Sequence, residues 1–512
     1  MTTTTNMAQP QSRAMRVAFR TFAAIERVGN LLPHPFWLFC ILAGVLIGLS
    51  AFLQYSGVSA VNPTSGDTVA VRSLLSAEGM QVMIGQAVTN FANFPPLATI
   101  LTTMLGIAIA ERSGLIDAVL RNTVTKVPTK YVTFALSMAA MIGHVAGDAA
   151  YVTLIPLGAL VFRAVGKSPV LGAIVAFVSI SAGYDASPVL TTTDVLLSSI
   201  TTAAATTLDS SIIVTPLANY FFGLASSVVI AITITVVVEK VLSKRPDLAD
   251  DVANNPATTS LTDLEITPAQ RKGMRAAGLT ALVFLVTVAI AMIPANSFLR
   301  GEGGSILASP VIAGMAFIIG LFFGIIGWVY GRVAGTFASS ADAIAAMIEG
   351  IKTMAPILVL FFAIAQFLAY FKWTGIGEVL AITGAGTLDD INAPSWLILL
   401  GIAILISFMN LVITSGSAMW SLAAPIFVPM LMLLDIPPET TQAIYRIADS
   451  VTNSVTPMSP YFVMALGYIQ VYRKSAGIGT LASFTIPLAM VVWVVWITFF
   501  FIWYALGIPF GI

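Results

Sequence analysis

Charge is what this sequence lacks most. Only 9% of its 512 residues are charged and 57% are hydrophobic, whereas a soluble domain carries roughly 25% charged residues. No water-soluble fold hides so much apolar surface, so the solvent for most of the chain is lipid. Cysteine is nearly absent. Cys40 stands alone in an apolar run, which excludes a disulfide framework within the chain. Two histidines, His34 and His144, are too few for a histidine-rich metal site. Basic and acidic residues balance at 24 each, so nothing points to a nucleic-acid partner.

What the chain has instead is one hydrophobic run after another. About 20 apolar residues cross a bilayer as a helix, and helices are required because lipid offers unpaired backbone groups no partner. Full spans are predicted near 33–54, 93–111, 169–203, 216–241, 272–293, 309–332, 353–371, 438–472 and 481–508. Two more apolar stretches, 131–163 and 395–434, are broken in the middle by glycine and polar residues. They read as re-entrant helical hairpins that enter and leave on the same side.

Basic residues orient this layout. The tail 1–30 carries Arg13, Arg16, Arg20 and Arg27 and is placed in the cytoplasm. The apolar run after it is too long for a signal-peptide core, so it reads as an uncleaved first span. Loop 112–130 holds Arg112, Arg121, Lys126 and Lys130, and the polar linker 243–271 begins with Lys244 and Arg245. Both fall inside, as do Arg332, Lys352, Arg473 and Lys474. The predicted outer loops 55–90, 204–215, 295–308 and 372–394 are poor in basic residues. The fold expected is an all-α polytopic protein of a bacterial inner membrane, with nine transmembrane helices and two hairpins.

The two halves, 31–242 and 272–512, repeat each other. Gly147-Asp148-Ala149-Ala150-Tyr151 with Pro156 matches Gly416-Ser417-Ala418-Met419-Trp420 with Pro425 at an offset of 269 residues. The same offset pairs Pro169 with Pro438 and Pro188 with Pro457. An offset of 261 pairs Pro95 with Pro356, Ser113 with Thr374 and Gly114 with Gly375. Proline costs about 3 kcal/mol inside a helix, so matched prolines are informative. Loops of the first copy are basic and their counterparts are not, so the copies are expected upside down to each other. Inverted repeats with broken helices mark secondary transporters, with the site at mid-membrane.

Each copy supplies a hairpin tip and a broken helix. The tips are Ala146-Gly147-Asp148 and Thr414-Ser415-Gly416-Ser417. The breaks lie in 169–203, at Ala182-Gly183-Tyr184-Asp185-Ala186-Ser187-Pro188, and in 438–472, at Thr452-Asn453-Ser454-Val455-Thr456-Pro457. Freed amides at helix N-termini attract anions. Freed carbonyls with Ser, Thr and Asn oxygens suit a sodium ion or a chain of waters. Ionisable groups within the spans are candidates because insertion is costly, about 2.5–3.5 kcal/mol each. They are Asp148, Asp185, Asp194, Arg446 and Asp449. Arg446 and Asp449 are spaced to share a helix face and pair. Asp194 has no charged neighbour within five residues. A lone carboxylate in lipid holds its charge at high cost, which suits it to taking up and releasing a proton. Gly166-Lys167-Ser168 is no phosphate-binding loop, because Val161 stands where glycine is needed. No enzyme site emerges.

Several of these segments carry a family resemblance. Ser415-Gly416-Ser417-Ala418-Met419-Trp420 with Ala424-Pro425-Ile426, Ala110-Glu111-Arg112-Ser113-Gly114-Leu115, and Tyr445-Arg446-Ile447-Ala448-Asp449-Ser450 to Thr456-Pro457 resemble the p-aminobenzoyl-glutamate transporter (AbgT) family. The resemblance spans roughly residues 25–510. It implies a homodimer that imports p-aminobenzoyl-glutamate-like solutes or exports sulfonamide antimetabolites. It implies no bound cofactor, with protons as the coupling ion and sodium as the alternative. Carried over by motif, the functional positions are Asn410, Ser417, Trp420, Pro438, Arg446, Asp449 and Pro457. The family's first-half aspartate falls on Asp194, with Asp185 as fallback. The breaks and tips add Asn453, Ser454, Thr456, Ser187, Ser415 and Gly416. Trp420 is expected to stack on an aryl ring and Arg446 to hold a carboxylate. Met419 replaces a lysine common among relatives. The competing function is a sodium-coupled dicarboxylate symporter of the related divalent-anion family.

Overall fold

The structure is a computed structural model. It describes residues 33–61, 66–147, 149–254, 265–306 and 309–512. Most of the N-terminal tail and part of the linker, both named above, lie outside the described residues. The helices in chain order are α1 (Pro35–Tyr55), α2 (Ala77–Gly85), α3 (Ala87–Ala92), α4 (Pro95–Arg112), α5 (Leu115–Thr125), α6 (Val132–Gly143) and α7 (Ala149–Ala164). They continue with α8 (Pro169–Ala182), α9 (Thr192–Ala205), α10 (Tyr220–Lys240), α11 (Asp247–Asn254), α12 (Pro268–Ala291), α13 (Pro310–Ala313) and α14 (Met315–Ala334). The last are α15 (Ser340–Trp373), α16 (Ile376–Asp390), α17 (Ser395–Asn410), α18 (Gly416–Met432), α19 (Pro438–Asn453), α20 (Pro460–Tyr472) and α21 (Ile478–Ala505).

The described chain is helical but for one small antiparallel ribbon, β1 (Ser59–Val61) on β2 (Thr68–Ala70), with Ala60 opposite Val69. Six helices are long and apolar enough to cross a membrane: α1, α10, α12, α14, α15 and α21. A seventh candidate is the pair α4 and α5, bent by 58°. Neither half of the stretches 169–205 and 438–472 is long enough to cross alone.

The helices sort into two packed groups. α4 crosses α14 and packs on α15, while α1 and α12 flank them. The crossing of α4 on α14 is very close, because a Cβ built on Gly106 would sit 1.6 Å from the Gly320 carbonyl oxygen. The second group is built around α8, whose fourteen residues are all buried. A helix apolar on every side belongs in the middle of a bundle, and α7, α19, α20 and α21 surround it. α9 packs on α18 and α17 on α19.

Matched residues of the two halves occupy equivalent places. Gly114 and Gly375 each sit in the left-handed region, at φ +83° and +73°, where glycine is favoured. Ser113 donates to Ala110 O and accepts from Leu115 N, while Thr374 donates to Phe371 O and accepts from Ile376 N. The carbonyl at each of these bends is taken by a distant segment. Thr336 Oγ1 donates to Ser113 O at 2.8 Å, and Arg72 N donates to Thr374 O at 2.9 Å. The second bond is the reason 55–90 is more than a connector: its ribbon and Arg72 clamp the bend between α15 and α16.

The linker is also anchored. Arg473 binds Asp247 at 2.9 Å and Asp251 at 2.5 Å. Ser168, the N-cap of α8, donates to Asp251 at 3.0 Å, and Arg245 reaches Ser483 on α21. Burial pushes the Asp247 carboxyl up, but the hydrogen bonds and charges of Arg245 and Arg473 outweigh it and hold the pKa below its ordinary value.

Candidate functional site

Two helices that stop short define the site. α8 ends at Ala182 and α9 starts at Thr192, with Pro188 in the irregular segment between them. α19 ends at Asn453 and α20 starts at Pro460, with Pro457 between them. Proline has no N–H and disfavours helix in the residue before it, so each break is written into the chain. Pro460 fits the first position of α20, where an N–H has no partner to lose.

α19 is polar yet enclosed. Thr440, Thr441, Gln442, Arg446, Asp449, Ser450 and Thr452 are all less than a tenth exposed. Polar groups in such surroundings must be hydrogen-bonded or they destabilise the fold. Many are. Asn410 Nδ2, at the end of α17, donates to Asp449 O and Thr452 Oγ1, both at 2.7 Å. Asp185 N, in the first break, donates to Ser450 Oγ at 3.1 Å. Thr456 Oγ1, in the second break, donates to Leu411 O at 2.7 Å beside the second tip.

Arg446 is the central cation. Its Nη1 donates to Asp194 Oδ1 at 2.7 Å, with side-chain exposures of only 4% and 13%. Asp194 is also the third residue of a capping box. Its Oδ2 accepts from Thr191 N and Oγ1, both at 2.8 Å. With the Gln442 amide turned so that its oxygen faces Arg446, Nη2 donates to it at 3.2 Å and the amide nitrogen donates to Thr201 Oγ1. Trp420 Nε1 also donates to Thr201 Oγ1, at 2.9 Å. Two sequence expectations are therefore corrected. Asp194 is not a lone carboxylate, because a residue 252 positions away pairs with it. Arg446 and Asp449 share a helix but form no ion pair among the described residues, because the guanidinium turns to the other half of the chain.

A cavity of about 370 Å³ opens where the pieces meet. Its polar lining is His34, Asp185 and Thr193 from the first half and Thr414, Ser415, Gly416, Ser417, Asp449, Asn453 and Ser459 from the second. Tyr151, Tyr184 and Tyr461 supply aromatic surface, and Pro35, Pro356, Ile357 and Leu360 supply apolar surface from α1 and α15. Asp449 presses against the start of α18, its Oδ2 lying 2.9 Å from where a Gly416 Cβ would stand. Four buried polar atoms here have no hydrogen-bond partner: Asp185 Oδ1, Asp449 Oδ1, Asn410 Oδ1 and Arg446 Nε. No cluster of three metal-ligating His, Cys, Asp or Glu residues occurs among the described residues. The volume is at the small end of the roughly 300–1,000 Å³ typical of small-molecule sites.

Comparison with known proteins shows which family the chain belongs to. The profile of the AbgT putative transporter family matches residues 20–512. The chain belongs to the AbgT family. It is 37% identical over 493 residues to the p-aminobenzoyl-glutamate transport protein of Escherichia coli K12, covering 96% of each. It is similar to the solved structure of the YdaH transporter of Alcanivorax borkumensis, at 36% identity and a TM-score of 0.87, covering 94% of this chain and 100% of that one. MtrF of Neisseria gonorrhoeae, described as illuminating a class of antimetabolite efflux pumps, gives 37% identity and a TM-score of 0.88 over 94% of this chain and 97% of that one. As an AbgT chain it is a multi-pass membrane transporter.

Within this AbgT chain the residues expected at the site divide. Asp185, Ser415, Gly416, Ser417, Asp449 and Asn453 line the cavity. Asp194, Arg446 and Asn410 lie behind it and hold its walls. Ser454 and Thr456 are fully buried, and Ser187 accepts from Val189 N within the first break. Trp420 is fully buried against Tyr445, at 4.3 Å between ring centroids, and presents no face to the cavity. Pro438 lies at the start of α19, beside a second cavity of about 440 Å³ formed with residues 507–512. Asp148 lies outside the described residues. Met419 is buried in the core.

Sequence reasoning missed Tyr151, Tyr184, Tyr461 and the wall from α1 and α15. Tyr151 had a signal, as the repeat counterpart of Trp420. Tyr461 had none.

Proposed function

We propose that this chain is a secondary active transporter of p-aminobenzoyl-glutamate-like aromatic dicarboxylates, or an exporter of sulfonamide antimetabolites, driven by the proton motive force. The observation that carries the reading is the cavity's mixed lining: an aromatic and apolar side, and a polar side that includes the start of α18. A helix N-terminus suits an anion, but here the carboxylate of Asp449 already presses on it, with Asp185 nearby in the lining. An incoming carboxylate meets like charge unless those groups take up protons, and this is the physical case for proton-coupled uptake of the dicarboxylate. The reading includes nine spans, counting 169–205 and 438–472 as broken ones, with oppositely oriented hairpins at 132–164 and 395–432. It places the chain in a bacterial inner membrane, N-terminus inside, as a homodimer.

Purified protein in proteoliposomes tests it. With proton and sodium gradients imposed separately, flux of labelled p-aminobenzoyl-glutamate or a sulfonamide should follow the proton gradient. Flux that follows sodium alone refutes proton coupling and favours the alternative, a sodium-coupled dicarboxylate symporter. The unpartnered oxygens of Asn410 and Asp449 are the feature that favours that alternative, since each is an acceptor of the kind that ligates a sodium ion.

A further inference from the structure

We propose that Tyr461, backed by Tyr151, is the residue that selects an aryl ring in the substrate. This rests on the reading of the cavity as the substrate site and names the surface that gives it aromatic specificity. Trp420 does not fill that role in this structure. It has no exposed surface, its Nε1 is bound to Thr201, and its ring is packed against Tyr445.

The two tyrosines are placed differently. Tyr151 stands in the first turn of α7, just past the first hairpin tip, and Tyr461 in the first turn of α20, just past the second break. Their ring centroids are 4.0 Å apart and their planes 7° from parallel. Tyr151 is 2% exposed. Its hydroxyl accepts from Ser181 Oγ at 3.3 Å, and its ring also neighbours Phe177 of α8. It is therefore the fixed, buried member of the stack. Tyr461 is half-buried and lines the cavity, so it is the member that meets a ligand. A ring held flat from behind loses little freedom when a second ring packs on it, which favours aryl over alkyl groups. The polar lining of the same cavity then receives the carboxylates. The stack also joins the helix after the first hairpin tip, in one half, to the helix after the second break, in the other.

The test uses the full chain in proteoliposomes. Labelled p-aminobenzoyl-glutamate is the transported probe, and N-acetyl-glutamate, with the same two carboxylates and no ring, is the competitor. Tyr461→Leu should raise KM for the aryl probe about 2- to 13-fold, the range expected for one aromatic pair. Its maximal rate and its inhibition by N-acetyl-glutamate should stay near those of the parent, and Tyr461→Phe should restore the parent KM. Equal loss for ring-bearing and ring-free compounds, or a changed maximal rate with unchanged KM, overturns the proposal and makes the stack a structural contact or a gate. In a Cys40→Ser background, p-aminobenzoyl-glutamate should slow maleimide labelling of Tyr461→Cys while N-acetyl-glutamate should not. Equal protection by the two, or none, also overturns it. If the parent itself neither binds nor moves any aryl glutamate, the substrate reading fails and takes this proposal with it. That outcome is distinct from failure of the variants alone.

Discussion

Asp194→Asn isolates one interaction at the centre of the transporter. The Arg446–Asp194 pair is 2.7 Å long with both side chains largely out of solvent. Removing one partner of such a pair leaves an uncompensated buried charge and costs roughly 3–5 kcal/mol. Asparagine keeps an oxygen for Thr191 N and Oγ1, so the cap of α9 survives and the loss belongs to the pair. The new amide nitrogen faces Arg446 Nη1, donor against donor. Arg446→Met leaves Asp194 unpaired and should cost a similar amount. Asp194→Asn with Arg446→Met leaves no buried charge at the pair, so its cost should fall below the sum of the singles by at least about 2 kcal/mol. Unfolding in mixed detergent micelles, followed by tryptophan fluorescence, measures all three variants. Single variants within about 0.5 kcal/mol of the parent, or a double variant that is simply additive, would refute the claim that this pair ties the halves together. If Arg446 also anchors a substrate carboxylate, the double variant should fold yet fail to transport.

Four further outcomes follow from the structure. Gly106→Ala should prevent recovery of monodisperse protein on gel filtration, because its Cβ meets the Gly320 carbonyl at 1.6 Å and overpacking against backbone reaches or exceeds about 3 kcal/mol. Gly48→Ala, with nothing within 4 Å, should be tolerated. Asn410→Asp should lower the unfolding midpoint and abolish flux, since the carboxylate cannot donate to Asp449 O and Thr452 Oγ1; each buried hydrogen bond lost costs about 0.5–1.5 kcal/mol. The linker clamp should be insensitive to pH across the neutral range. Asp247 is depressed from 3.8, so its contribution is present above that value and lost as pH falls through the lower folded one. Hydrogen-exchange protection of residues 247–254, corrected for intrinsic rates, should persist to about pH 4 and then drop; loss between pH 7 and 5 would contradict the assignment.

Much of the architecture was legible because lipid imposes strong rules. Apolar length announced the six helices long enough to cross a membrane, and Pro188, Pro457, Gly114 and Gly375 announced where helices stop or bend. These are local backbone constraints, and local constraints are carried by a residue and its immediate neighbours. The ribbon was not legible: its strands are three residues each, and with Arg72 they meet the bend at Thr374 and Gly375 some three hundred positions away.

By itself, then, the sequence determined the solvent, the places where helices stop and the polar residues gathered there. Tertiary structure decided which of those residues touch. It gave Arg446 to Asp194 rather than to Asp449, and it buried Trp420 while setting Tyr461 in the cavity wall. The reason is physical. A helix's own periodicity says which residues share a face, but which opposing charge or ring that face meets depends on how distant helices pack.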